Sequence, residues 1–326
     1  MFPRTRMRRL RRRHLQPLFL EQRLERNQLV MPVFVDENLR ERAPIASMPG
    51  IFRHPPEELP ALATRLYSRG IRAMLLFGIP SQKTEDGSSA WQEDGVVQRA
   101  VQGIRMTVPE MVLITDVCAC EYTTHGHCGI VGETSHGRDL LNDPSLDLMS
   151  AIAMSHAAAG ADIVAPSCML DGVVMRIRED LDTHGFEDVL ILSYSTKFDS
   201  ALYGPFREAA DSGYAFGDRS TYQLNPANAR EAFRESELDR EEGADILMVK
   251  PAGMYLDILS EISLLGLPVA AYQVSGEYSM IKAAAQNGWI KERPVVMESL
   301  ACLKRAGADL IITYYAEEVA RWLDEE

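Results

Sequence analysis

Eight short apolar runs, each followed by a stretch with helical spacing, predict a (β/α)8 barrel, or TIM barrel, carrying an extended N-terminal arm. Two further observations agree. Gly-Ala-Asp recurs at residues 160–162, 243–245 and 307–309, each time closing a helical pattern and opening an apolar run. Glycine suits the left-handed residue just past a helix, and Gly70 and Gly185 fit the same position elsewhere. The alternative, a doubly wound open sheet, calls for a G-x-G-x-x-G after an early strand, and none is present.

In chain order the predicted strands are Leu29–Val35, Ala73–Phe77, Met111–Thr115, Asp162–Ala165, Val189–Tyr194, Asp245–Val249, Pro268–Val274 and Asp309–Tyr314. Their continuous apolar character, without alternation, marks strands covered on both faces, as in a parallel sheet wrapped by helices. Helical patterns fill the intervals, among them Glu58–Ser68, Val96–Ile104, Leu146–Ala158, Gly172–Leu181, Pro226–Glu242 and Met254–Leu264. Residues 1–28 precede the first run and form the arm, leaving 29–326 as the barrel.

A chain of 326 residues with 46% hydrophobic content can bury a large core. No run of 18 apolar residues is present, so no membrane-spanning helix is expected, and charges interrupt the N-terminus where a secretory segment would be apolar. Five cysteines without an evenly spaced framework suit a reducing compartment, the cytoplasm. Seven arginines and no acid lie in the first fourteen residues of a chain whose net charge is −13, so the body is more acidic than the total. That balance argues against nucleic acid and for an arm that lies on the acidic body of a neighbouring subunit.

In a barrel of this kind, chemistry gathers where strands end. The third strand ends in Asp116 and runs into Cys118-Ala-Cys120-Glu-Tyr-Thr-Thr-His125-Gly-His127-Cys128. Three thiolates at C-x-C-x7-C can meet at one Zn2+ and leave its fourth position open, the mark of a catalytic site. His125 and His127 read as residues that shape the loop. The fourth strand ends at Ser167, the fifth at Lys197, the sixth at Lys250, the seventh at Ser275 and the eighth at Tyr314.

The lysines weigh most, because the chain has 28 arginines and only six lysines. A lysine ending an apolar strand either pairs with a buried carboxylate or does chemistry. Arginine cannot lose its proton, whereas a desolvated lysine near another cation can do so and attack a carbonyl. Two such lysines facing each other across the barrel would lower each other's pKa. The segment Leu202–Arg219, with three glycines and the arginines Arg207 and Arg219, reads as a lid able to grip a carboxylate. Cys168 and Cys302 read as buried, inert thiols.

These residues resemble the porphobilinogen synthase (5-aminolevulinate dehydratase) family in its cysteine-rich, zinc-dependent form. The matching segments begin with Asp116–Cys128 and include Ser193-Tyr-Ser-Thr-Lys197, Tyr203-Gly-Pro-Phe-Arg-Glu-Ala209 and Gly217-Asp-Arg-Ser-Thr-Tyr-Gln223. They continue in Leu247-Met-Val-Lys-Pro-Ala-Gly253 and Ala271-Tyr-Gln-Val-Ser-Gly-Glu-Tyr278, and the similarity spans roughly residues 3–323.

The resemblance implies condensation of two 5-aminolevulinate molecules to porphobilinogen with loss of water, a lyase reaction of tetrapyrrole and haem biosynthesis. It assigns a Schiff base on the propionate-side substrate to Lys250, and the acetate-side substrate to Lys197. Zinc falls to Cys118, Cys120 and Cys128, and the reaction centre to Asp116 and Ser167. Arg207, Arg219 and Gln223 hold the acetate-side carboxylate, and Ser275 and Tyr314 the other. It implies a homo-octamer wrapped by the arms, and an allosteric Mg2+ at Glu235. At residues 166–173 the chain departs from the family, with Cys168 in place of an aspartate and Val173 in place of an arginine, which removes polar groups that a hard cation prefers. A single-lysine class I aldolase would leave the cysteine loop unexplained. A catalytically lost zinc-binding homologue would leave both lysines unexplained.

Overall fold

In a computed structural model, which describes residues 6–135 and 137–325, the eight predicted strands close into a parallel barrel. The strands are β1 (Leu29–Asp36), β2 (Ala73–Ile79), β3 (Val112–Val117), β4 (Ile163–Pro166), β5 (Leu190–Lys197), β6 (Ile246–Lys250), β7 (Val269–Gln273) and β8 (Leu310–Thr313). Closure comes from β8 pairing with β1, Leu29 opposite Ile311 and Val30 opposite Ile312. Every residue of β1, β2, β4, β6 and β7 is buried, as two covered faces require.

The outer layer holds α1 (Leu59–Ser68), α2 (Val96–Thr107), α3 (Asn142–Ala159), α4 (Val173–Thr183), α5 (Gly204–Ala209), α6 (Ala229–Glu241), α7 (Leu256–Ile262), α8 (Ser275–Gln286), α9 (Glu292–Arg305) and α10 (Ala316–Asp324). Sequence patterns mark α1 to α4, α6 and α7. The short α5 lies inside the predicted lid, and α8 to α10 follow the last two strands. Small antiparallel ribbons at 43–54 and 131–140 decorate the loops after β1 and β3. Among the described residues no helix is long and apolar enough to cross a membrane.

The Gly-Ala-Asp repeat has a structural reason beyond its glycine. Gly160, Gly243 and Gly307 adopt φ of 105°, 104° and 113°, the left-handed turn that ends each helix. The aspartate two residues on then accepts a hydrogen bond from a backbone N–H of the preceding strand. Asp162 takes Leu113 N–H at 2.7 Å, Asp245 takes Ile191 N–H at 2.8 Å and Asp309 takes Val269 N–H at 2.9 Å. Each carboxylate thus fixes the register of an odd and an even strand at the N-terminal face, away from the strand ends where chemistry gathers.

Candidate active site and metal centre

Lys197 and Lys250 are each the last residue of a strand and are register partners in the β5–β6 ladder. They therefore lie side by side on neighbouring strands, where the sequence reading had them facing across the barrel. Both are 5% exposed. Neither has a carboxylate ion-pair partner among the described residues.

Lys250 Nζ sits among aromatic rings, 4.6 Å from the Tyr272 centroid, 4.9 Å from Tyr194, 5.1 Å from Phe206 and 5.4 Å from Tyr203. Burial, reinforced by the Lys197 charge, pushes its pKa down to about 7, with Asp116 pulling the other way. Lys197 responds in the opposite sense. Burial works against its charge too, but the neighbouring cysteines outweigh that and raise its pKa. The expectation that the two lysines lower each other's pKa is met at Lys250 and not at Lys197, so Lys250 alone is tuned toward the free amine. Lys197 Nζ donates to the Ser167 carbonyl, and its centre lies 5.6 Å from the Tyr194 ring.

Asp116 is brought to the same place. Its Oδ2 accepts from Ser167 Oγ at 3.2 Å, and burial raises its pKa while both lysine charges pull it back. Its Oδ1 is buried without a hydrogen-bond partner among the described residues. A carboxyl with one unused oxygen, within the field of two amines, can carry a proton.

The three predicted cysteines converge. Their sulfur atoms lie within 4.8 Å of one another, Cys118 and Cys120 at 3.3 Å. Thiolates bound tetrahedrally to one Zn2+ at 2.3 Å would stand about 3.8 Å apart, so the cluster fits such an ion with little movement. Hydrogen bonds from Cys118 and Cys120 hold Cys128 well below the usual thiol pKa. Glu121, buried beside them with its carboxyl pushed up to about 7 by desolvation and by Asp116, is a neighbour that the spacing argument did not identify.

The histidines hold the loop's shape. His125 Nδ1 accepts from His127 N–H at 3.1 Å, and its Nε2 lies 3.1 Å from the Glu85 carbonyl. His127 reaches Tyr222 Oη at 3.2 Å and the Phe216 carbonyl at 3.0 Å. The cysteine loop is thereby latched to residues 214–222. Gly126 makes the approach possible, since a Cβ there would stand 2.3 Å from the Gly213 carbonyl oxygen.

The predicted lid reaches over Lys250. Phe206 N–H donates to Ser275 Oγ at 3.0 Å, placing the Phe206 ring over Lys250. Arg219 is buried and donates to the Gly126 and Ser212 carbonyls at 2.9 and 3.2 Å. Its Nε, the Nε of Arg207 and both amide atoms of Gln223 have no hydrogen-bond partner among the described residues. Buried donors left over in this way are what a bound carboxylate would satisfy. Ser275 begins α8 and does not end a strand. Tyr314 follows β8, its hydroxyl 3.1 Å from that of Tyr272.

Glu235 lies apart, on α6, beside a cleft of about 370 Å³ shared with Asp139, Asp171 and Glu231. Burial first, then Asp171 and Glu231, raise its pKa. Among the described residues it belongs to no set of three donors close enough to hold one ion. Cys168 is buried, as expected, whereas Cys302 is only half-buried, with Arg305 Nη2 at 3.5 Å from its sulfur. The aromatic cage of Tyr194, Tyr203, Phe206 and Tyr272 was missed, because Tyr194 and Tyr272 sit in apolar runs and read as core, and Tyr203 and Phe206 sit in the lid, where the arginines drew the reading. Only their placement around a lysine distinguishes them.

Known proteins resemble this chain along nearly its whole length. The delta-aminolevulinic acid dehydratase family model matches residues 4–322. The delta-aminolevulinic acid dehydratase of Archaeoglobus fulgidus is 54% identical over 323 residues, covering 99% of each chain. That of Escherichia coli is 52% identical, covering 94% of this chain and 93% of its own. The crystal structure of the Toxoplasma gondii enzyme, also called porphobilinogen synthase and bound to the reaction product porphobilinogen, superposes with a TM-score of 0.96. It is 43% identical, with 99% of this chain and 92% of that one covered. With the barrel, the paired lysines and the cysteine trio in place, the chain belongs to the delta-aminolevulinic acid dehydratase family.

Proposed function

We propose that this chain is a zinc-dependent lyase that joins two 5-aminolevulinate molecules into porphobilinogen with loss of water. The observation that carries the reading is the asymmetry of the paired lysines: the cysteine trio lies beside Lys197, and an aromatic cage surrounds Lys250.

The free amine of Lys250 attacks the ketone of the propionate-side substrate and forms an imine as water leaves. The imine is an electron sink, so a proton on the adjacent carbon can depart and a carbon–carbon bond can form. Phe206 and the other rings exclude bulk water from that imine. Lys197 takes the acetate-side substrate. Asp116, braced by Ser167, stands where protons pass between the two substrates. Arg207, Arg219 and Gln223 hold the acetate-side carboxylate, and Ser275 and Tyr314 the other.

Cys118, Cys120 and Cys128 hold Zn2+, which three soft sulfur ligands favour, and the ion supplies Lewis acidity tempered by its anionic ligand set. A hard cation such as Mg2+ at Glu235 would draw most of its ligands from water. The enzyme works as a cytoplasmic homo-octamer in which each arm lies on a neighbour.

A colorimetric assay for porphobilinogen, run with and without a chelator, tests reaction and metal together. Turnover lost to the chelator and restored by Zn2+ is expected. No product from 5-aminolevulinate in the zinc-loaded protein would contradict the reaction, and full turnover in a metal-free preparation would contradict the metal.

A further inference from the structure

The direction in which Lys197 points is not what a regular strand would give it. Side chains alternate along a strand, so residues an odd number apart face opposite ways. Tyr194 faces the barrel interior, where its ring neighbours both lysines. Lys197 lies three residues further on and faces inward too. One extra residue must intervene, and the β5–β6 register shows it. Ser193 stands opposite Leu247 and Thr196 opposite Val249, three steps on β5 against two on β6. This is a β-bulge, a device that re-aims a side chain.

The bulge turns Ser195 and Thr196 together toward the helix layer, and one side chain holds both. Ser236 Oγ lies 2.9 Å from Thr196 Oγ1 and donates to Ser195 Oγ at 3.0 Å. All three hydroxyls are buried. The Ala232 carbonyl, one turn earlier on α6, lies 3.4 Å from Thr196 Oγ1. On the same face, Asp239 accepts from Ser193 Oγ below the bulge. Ala232, Ser236 and Asp239 follow helical spacing, so a single stripe of α6 is matched to the irregular part of β5.

We propose that Ser236 is a positioning residue. It locks the β5 bulge and thereby aims Lys197 at the substrate and not at the helices. The proposal rests on the proposed role of Lys197 for its catalytic consequence, and on the register and the Ser236 contacts for its structural one.

The test compares S236A, S236T and T196V in the zinc-loaded full chain, by porphobilinogen turnover, by borohydride trapping at Lys250 and by crystal structures. In S236A, kcat is expected to fall by about 10²-fold, the scale of a misplaced reacting group. Trapping at Lys250 should persist, and S236T should recover most of the loss. In the S236A crystal, Lys197 should have left the Ser167 carbonyl. Should S236A fail to fold, T196V, which removes one hydroxyl at near-constant volume, is expected to show a smaller loss of the same kind.

Lys197 in its parental position in the foldable variants, with kcat within about twofold, would overturn the proposal. So would loss of Lys250 trapping in proportion to turnover, since that would indicate general damage. If the parent protein makes no porphobilinogen, the functional reading fails, while the position of Lys197 in the variant crystals still decides the clamp.

Discussion

Lys250 and Lys197 end neighbouring strands in register, yet their surroundings share little. Around Lys250 are four aromatic rings, and its pKa is pushed down to about 7. Around Lys197 are thiols, a backbone carbonyl and Arg219, and its pKa is raised. Two identical substrates arriving in one barrel would thus meet one amine ready to attack and one whose charge its neighbours favour. Both lysines end their strands in register, and what makes them different is the cysteine loop beside one and the rings of β5, β7 and the lid around the other.

The largest effect should come from deleting the ready amine. K250M is expected to lower porphobilinogen turnover by about 10⁴-fold or more, as loss of a covalent nucleophile does. K197M should also lose turnover but keep the adduct at Lys250. If K197M abolishes that adduct as well, the distinction between the two lysines breaks.

Removing a metal ligand should sharpen the comparison. C128A is expected to lose bound zinc by elemental analysis and about 10²-fold or more in turnover, with Lys250 still trappable. R219Q tests the carboxylate grip on the Lys197 side. Loss of a charge-assisted contact should raise KM by about 10-fold to 100-fold, measured by steady-state kinetics.

The pH profile follows from the sign of the Lys250 shift. Only the neutral amine attacks, and it dominates above pH 7, so the rate of adduct formation should fall by about tenfold per unit below that and level off above it. A profile that rises only near pH 10, where an ordinary lysine titrates, would contradict burial and the Lys197 charge as forces that lower the Lys250 pKa. The smallest effect belongs to the opposite face of the barrel. D309N weakens the Asp309–Val269 clamp and should cost about 1 kcal/mol in a denaturant titration with kcat unchanged.

The barrel was legible because two-sided burial leaves an unmistakable run of apolar residues, and because Gly160, Gly243 and Gly307 mark helix ends by necessity. The role of the aspartates in that repeat was not legible, since a carboxylate that bridges to the preceding strand has no local signature. The cysteine trio and the paired lysines stood out by rarity and spacing. Their neighbours did not. Glu121 looks like any loop acid, and Tyr194 looks like core until a lysine is placed over it. The position of Lys197 beside Lys250, not opposite it, depends on strand order. Its inward aim depends on a bulge that no periodicity reveals.

The central claim is that Lys250 is the amine that first captures substrate. Borohydride reduction in the presence of 5-aminolevulinate, followed by peptide mapping with mass spectrometry, tests it directly. The adduct is expected on Lys250, in the parent protein and in C128A alike. An adduct confined to Lys197, or none at either lysine, would contradict it.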